Sequence, residues 1–238
     1  MGKRLISQAR GRGGPRYRSP KHRMKGTSSY PQSEDSYVIK DLIKCPSNSA
    51  PLAQVIYENN KTALLIAAEG IKVGEKFQYG EQAEIKAGNV LKLKDIPEGT
   101  KIFNIESQPG DNGKFCRSAG TFAKVIGKAA NKVTVQFPSK RTKDFVNDCK
   151  ASIGAVAGSG RTDKPILKAG IKYKMRRAVN RMYPNVSGTS MNSVDHPFGG
   201  SKSTHKGRPT VVPHGAPPGR KVGKLKARRT GRKKGRQS

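Results

Sequence analysis

The residues with the clearest chemical potential are Asp195 and His196, which lie side by side in the segment MNSVDHPFGGS, residues 191–201. An acid next to an imidazole is a common arrangement in general acid–base catalysis. Neighbouring side chains of an extended segment point apart, however, and Pro197 restricts His196 to extended geometry. The pair therefore does not predict a catalytic dyad.

Other catalytic and metal-binding patterns do not match the chain. A GxSxG elbow, an HExxH pair and a Walker glycine loop are all absent from the sequence. His196, His205 and His214 are nine residues apart, a spacing that fits no common zinc pattern, and Cys45, Cys116 and Cys149 form no CxxC pair. The sequence predicts three unpaired cysteines, no metal site and no enzyme.

The same loop fits a binding role residue by residue. Asn192 and His196 can hydrogen-bond to sugars, bases and phosphates, and Phe198 can either stack on a base or pack against the protein. Gly199 and Gly200 allow positive φ angles and let the backbone approach a phosphate closely. Asp195 requires a magnesium ion, a base amino group or a nearby arginine to offset repulsion by RNA.

The charge of the chain points to a polyanionic partner. The 238 residues carry 48 Lys and Arg against 16 Asp and Glu, a net charge of +32. Phosphates relieve the self-repulsion of such a chain, because each neutralising contact releases condensed counterions. The longest apolar run, residues 63–68, is far too short to span a bilayer, and the basic N-terminus does not resemble a signal peptide. We expect a soluble intracellular protein that binds nucleic acid.

The basic residues are concentrated at the two ends of the chain. Residues 1–25 contain nine basic residues and no acid, and residues 164–238 contain twenty basic residues and Asp195 alone. Segments of this composition bury too little apolar surface to offset the entropy of ordering, so they are expected to become ordered on their partner. The sequence KAGIKYKMRRAVNRM, near residues 168–182, predicts one short helix that is basic on nearly every face.

Between these ends, short β-branched and aromatic segments recur about every ten residues. Residues 37–44 predict one strand, and residues 51–70 predict two strands joined by the turn at residues 58–61. Alternation at Val133, Val135 and Phe137 predicts a further strand with one buried face. The pattern favours an all-β fold of two small barrels that meet near residues 87–89.

Several longer runs resemble the universal family of large-subunit ribosomal protein two. The run VSGTSMNSVDHPFGG (186–200) resembles the family's Met-Asn-Pro-Val-Asp-His-Pro signature, with Ser193 where the family usually has proline. Support comes from NVLKLKDIPEGTKIFNIESQPGD (89–111), RTDKPILKAG (161–170) and APPGRKVGKLKARRTGR (216–232), so the resemblance covers almost the whole chain. Phe198 and the run at 161–170 resemble the archaeal and eukaryotic branch.

The resemblance implies a division of the chain into four parts. These are a basic arm at 1–31, an oligonucleotide-binding-fold barrel at 32–88, an SH3-like barrel at 89–165 and a basic extension at 166–238. It further implies a structural role in the large subunit of the cytoplasmic ribosome, with large-subunit ribosomal RNA (rRNA), neighbouring ribosomal proteins and the small subunit as partners. The extensions would then reach toward the peptidyl-transferase region. No membrane, small-molecule substrate or cofactor is implied beyond magnesium carried by the RNA.

A basic DNA-compacting chromatin protein is the alternative, although the sequence shows no amphipathic recognition helix for a major groove. For either function, the predicted nucleic-acid contacts lie in the basic ends and in the histidine loop. They are Arg10, Arg12, Arg16, Arg18, Lys21, Arg23, Arg176, Arg177, Arg181, Asn192, His196, Gly199, Gly200, Arg208, Arg220, Lys221, Lys224, Arg228, Arg229 and Arg232.

Overall fold

The computed structural model describes residues 3–30, 36–80, 83–201 and 203–225. The chain forms two compact units. Lys21–Leu167 form one, which we call the β unit. Met1–Pro20 and Lys168–Ser238 together form the other, which we call the basic unit.

The first sheet of the β unit has four antiparallel strands in the order β3-β2-β1-β4. Its strands are β1 (Tyr37–Ile43), β2 (Leu52–Tyr57), β3 (Thr62–Ile66) and β4 (Lys76–Phe77). Tyr37 and Ile39 point into the core while Val38 and Lys40 are exposed, and the register shifts between Ile39 and Asp41. The bulge therefore ends the alternation of buried and exposed residues in β1.

The second sheet has six strands in the order β5-β10-β6-β7-β8-β9. They are β5 (Val90–Lys92), β6 (Lys101–Phe103), β7 (Ala123–Ala129), β8 (Lys132–Gln136), β9 (Thr142–Val146) and β10 (Lys150–Ile153). Val133 and Val135 are buried, whereas Thr134 and Gln136 between and after them are only half-buried. The predicted strand at this position is confirmed.

A third apolar cluster joins the two sheets within the β unit. Leu52 and Ile66 from the first sheet pack in one cluster with Phe103 from the second. Ala68 and Val156 form an isolated antiparallel bridge nearby. The β2–β3 hairpin and the loops of the second sheet are therefore parts of one packed body.

The all-β prediction is confirmed. The strands expected at residues 37–44 and within 51–70 are present. All three cysteines are free, with Cys45 and Cys149 buried and Cys116 half-buried. The four domain boundaries stay a prediction, because the barrels pack as one unit and the two basic ends as another.

The basic unit contains α1 (Ile6–Gly11) and α2 (Ala169–Ala178), of which only α2 was predicted. Its two chain segments are joined by backbone contacts: the Asn180 side chain donates to the carbonyls of Arg16 and Arg18, each at 2.7 Å, and the Lys3 N–H donates to the Val194 carbonyl at 2.8 Å. Of its described residues, only Leu5, Phe198 and Ala216 are buried. Polar contacts more than an apolar core therefore hold this unit.

The helices are short throughout the described ranges. None of them is long and apolar enough to cross a membrane.

Gly88 provides a test of packing in the β unit. Its φ is +107°, an added Cβ would overlap the Phe77 ring, and its carbonyl accepts the Tyr37 hydroxyl at 2.5 Å. We expect Gly88→Ala to lower the free energy of unfolding by about 2 kcal/mol, because the backbone is strained and Phe77 must move. Urea denaturation of the full chain measures the change.

The matched control is Gly127→Ala in β7. Gly127 has no positive φ, and an added Cβ would meet nothing within 4 Å. We expect this variant to unfold within about 0.5 kcal/mol of the unmodified protein. Equal losses in the two variants would contradict the packing described for Gly88.

Candidate nucleic-acid interface

The basic unit contains most of the excess positive charge. By sequence it holds twenty-five Lys and Arg and a single acid, Asp195, whereas the β unit holds twenty-three Lys and Arg and fifteen acids. In the described ranges, only one of these cations, Lys3, forms an ion pair within the basic unit. Fixed like charges at this density attract phosphates strongly.

The predicted arginines of the N-terminal segment are exposed in the structure. Arg10 lies in α1, Arg12 follows its end and Arg16 lies in the 3₁₀ turn Pro15–Tyr17. Arg18 is held in place, because its Nε donates to the Gly13 carbonyl at 2.6 Å. The two remaining predicted residues of this region, Lys21 and Arg23, are exposed but belong to the β unit.

The helix α2 has no buried residue and exposes both cations and the apolar side chains of Ile171, Tyr173 and Met175. Arg176 is half-buried and Arg177 exposed in its last turn, where cations interact favourably with the helix dipole. Arg181 follows the helix end, exposed, and its N–H donates to the Arg176 carbonyl at 2.8 Å. The helix presents these three arginines close together in the chain.

The histidine loop, residues 191–200, is closed by its own backbone. The Asn192 carbonyl accepts the N–H groups of Asp195 at 3.0 Å and His196 at 3.1 Å, and the Gly200 N–H donates to the Met191 carbonyl at 3.1 Å. This closure leaves the Asn192 side chain exposed. The loop is therefore a preformed turn with polar groups on its outside.

The two loop glycines have different roles. Gly200 has a φ of +93°, as the sequence predicted for both residues, but Gly199 has no positive φ. An added Cβ on Gly199 would overlap the carbonyl oxygens of Met191 and Asn192. The expectation of a positive φ at Gly199 is therefore wrong. A glycine is required at this position because two backbone segments approach each other closely.

His196 is fixed by its neighbours. Its Nδ1 accepts the Phe198 N–H at 3.0 Å, and its ring lies 5.2 Å from the Phe198 ring. Gly188 touches the imidazole so closely that an added Cβ would overlap it. Phe198 is itself buried. The packing alternative for Phe198 is therefore the one that the structure supports.

Asp195 is paired with Lys3. The Lys3 Nζ lies 3.5 Å from the carboxylate, and both side chains are substantially exposed. The sequence proposed an arginine, a magnesium ion or a base as the partner, and Lys3 was missed because no local pattern links residues almost two hundred positions apart. With Nδ1 of His196 occupied by a backbone N–H, these contacts do not form a catalytic dyad.

The C-terminal predicted residues lie around a second closed segment. The bridge between Val211 and Lys224 brings two parts of the chain together, and the Lys224 N–H donates to the Thr210 carbonyl at 2.8 Å. Arg208, Arg220, Lys221 and Lys224 are all exposed. The last three predicted contacts, Arg228, Arg229 and Arg232, lie outside the described residues.

The described ranges contain no group of three or more His, Cys, Asp or Glu side chains that could hold a metal ion.

These features define a class: an all-β protein joined to an acid-poor unit that presents many exposed cations. The chain belongs to the ribosomal protein L2 family. Residues 86–215 match the family described as Ribosomal Proteins L2, C-terminal domain. The resemblance found in the sequence is thereby confirmed.

Full-length relatives agree with this assignment. The chain is 48% identical to the large ribosomal subunit protein uL2 of Methanococcoides burtonii over 98% of this chain and 100% of the relative. It is also 48% identical to the uL2 proteins of Methanothermobacter thermautotrophicus, over 98% of this chain and 100% of the relative, and of Archaeoglobus fulgidus, over 97% and 99%. All three organisms are archaea, as the resemblance implied.

The packing around His196 predicts its titration. Desolvation lowers the pKa of the imidazole below its ordinary value of about 6.5. In the folded loop, His196 therefore binds a proton less readily than it does in the unfolded chain. The free energy of unfolding falls as the pH is lowered from the ordinary pKa of His196 toward its depressed pKa. We expect the His196 side-chain resonances to titrate below pH 6.5 in NMR spectra, and the Phe198 amide to shift with them.

The variant His196→Gln serves as the control, since it removes the imidazole from the loop. Its Phe198 amide should not move between pH 7 and pH 5. A midpoint at or above 6.5 for His196 in the unmodified protein would contradict the buried contact at Nδ1.

Proposed function

We propose that this protein is a structural constituent of the large ribosomal subunit that binds large-subunit rRNA. The observation that carries the proposal is the basic unit, in which a single carboxylate accompanies twenty-five cations. Among the described residues, most of the predicted contact arginines are exposed. The names of the relatives, all large ribosomal subunit proteins, support the same role.

The proposal extends to the partners and the place of action. Neighbouring ribosomal proteins and, across the intersubunit face, the small subunit are the protein partners, and the basic unit helps to organise the peptidyl-transferase region of cytoplasmic ribosomes. The protein has no small-molecule substrate and no membrane partner in this account. Any magnesium at the interface is carried by the RNA.

In this role the histidine loop docks on RNA and does no chemistry. Four backbone hydrogen bonds close the loop and fix the conformation that meets the RNA. Pairing of Asp195 with Lys3 offsets the carboxylate that would otherwise repel a phosphate. The Asn192 amide and the outer edge of the His196 ring are then available to sugars and bases.

DNA compaction is the second candidate, because a basic surface attracts any polyanion. The duplex readers of known type place a helix or strand pair in a groove, and α2 is the longest helix in the described ranges, at ten residues. Its exposed surface mixes Lys and Arg with Ile171, Tyr173 and Met175. The arrangement suits the irregular phosphate positions of a folded RNA better than a regular duplex.

The salt dependence of rRNA binding tests the proposal. We expect the full chain to bind large-subunit rRNA with a log–log salt slope of several units, because many phosphates are neutralised together. Replacement of both Arg176 and Arg177 by Gln should reduce the slope by about two, one for each lost phosphate contact. Filter binding between about 0.1 M and 0.5 M salt measures the slopes.

The control replaces Lys132 of β8 and Lys140 of the β8–β9 turn by Gln, an equal loss of charge from exposed positions of the β unit. This variant should keep a slope close to that of the unmodified protein. A flat salt response would contradict the proposed interface. Equal displacement of rRNA by duplex DNA of the same length would favour the chromatin alternative.

A further inference from the structure

The β unit contains a cavity of about 390 Å³ that has no role in the function proposed for the basic unit. Its walls are the β2–β3 hairpin, the loop that begins at Glu106 and the start of β10. Its lining residues include Tyr57, Asn59, Lys61, Glu106, Asn112 and Lys150. Volumes of about 300–1,000 Å³ are typical of sites for small organic groups.

The frame of this cavity is fixed by buried hydrogen bonds. Glu106 is fully buried, and its two carboxylate oxygens accept the backbone N–H groups of Asn112 at 3.2 Å and Lys150 at 2.9 Å. The Asn112 side chain in turn accepts the Tyr30 N–H at 2.9 Å. The carboxylate therefore shapes the cavity, and both of its oxygens are already occupied.

Tyr57, in contrast, has unused hydrogen-bonding capacity. The residue is 6% exposed, and its hydroxyl is buried without a hydrogen-bond partner among the described residues. Burial raises the pKa of this hydroxyl, so that it stays protonated and can donate. A buried polar group without a partner is costly, and such groups in native proteins often belong to a site.

The rim of the cavity is positively charged. Lys61 follows the hairpin turn, and Lys150 begins β10, where its ammonium lies 4.9 Å from the Tyr79 ring centre. The carboxylate of the nearby Glu58 lies 3.5 Å from the Lys76 ammonium and accepts a hydrogen bond from the Ser36 hydroxyl. Among the described residues, no carboxylate pairs with Lys61 or Lys150, so both ammonium groups are available to an anion.

We infer that this cavity binds one unpaired ribonucleotide of the RNA partner, with its phosphate on Lys61 and Lys150 and its base or ribose at the Tyr57 hydroxyl and Asn59. The inference rests on the proposed function and adds a site on the β unit. A nucleotide has both parts that the cavity requires, an anionic group and a polar planar group. A base paired in a duplex cannot enter, so the ligand is a bulged or looped-out nucleotide.

The effect of Tyr57→Phe on the free protein and on binding makes the inference testable. Removal of an unpartnered buried hydroxyl should make the free protein more resistant to urea. The same change should weaken binding of a single-stranded 12-nucleotide RNA about three- to tenfold, without a change in the salt slope, because no charge is lost. A purely structural Tyr57 would show the first effect without the second.

The binding experiment uses the full chain and a fluorescent single-stranded RNA, with excess unlabelled RNA duplex to occupy the exposed cations. Lys150→Gln should weaken binding about tenfold and lower the salt slope by about one. The matched control is Lys132→Gln, an exposed lysine of β8 that does not line the cavity. It should bind within about twofold of the unmodified protein under the same conditions.

The outcomes separate this inference from the proposed function. If Tyr57→Phe binds the single strand as tightly as the unmodified protein, or Lys150→Gln behaves like Lys132→Gln, the nucleotide site is overturned while rRNA binding stands. If a polyglutamate peptide displaces the RNA, and its binding is weakened by Tyr57→Phe, the site belongs to an acidic peptide and the inference is overturned. If the unmodified protein binds neither single strand nor duplex, both proposals fail together.

Discussion

Mutual repulsion among the cations of the basic unit is the constraint on which the rest of the structure depends. Twenty-five cations share this unit with one carboxylate, and only three described side chains are buried in it. Apolar burial contributes little, so local closures must hold the chain: the turn at residues 191–200, the Val211–Lys224 bridge and the Asn180 contacts with the N-terminal segment. A polyanion that binds only the folded unit adds its binding energy to folding.

The β unit has the apolar core that the basic unit lacks. Fifteen acids accompany its twenty-three cations, and three apolar clusters fill its interior and join the two sheets. A rigid body of this kind can hold a cavity open, as the buried Glu106 does through its two backbone contacts. One unit thus folds around its own apolar core, whereas the other relies on its partner for stability.

The sequence predicted those features that local patterns determine. Alternation at Val133 and Val135 predicted β8, the turn at residues 58–61 predicted the first hairpin, and the run near residues 168–182 predicted α2. Each of these inferences uses residues that are close in the chain.

Features that depend on distant residues could not be predicted. The Lys3–Asp195 pair and the Asn180 contacts join positions more than 160 residues apart, and no periodicity links them. The role of Gly199 depends on a close backbone approach that only the folded loop creates. The helix α1 is six residues long, too short for its period to be distinguished from a loop.

Hydrogen exchange of the full chain, with and without large-subunit rRNA, tests the central claim most directly. In the free protein, we predict slow amide exchange in the strands of the β unit and fast exchange in residues 3–20, 168–201 and 203–225, where few side chains are buried. Addition of the rRNA should slow the second group strongly and the first group little. Equal protection of both units without RNA would contradict the account, since it would show that the basic unit is stable without a polyanion.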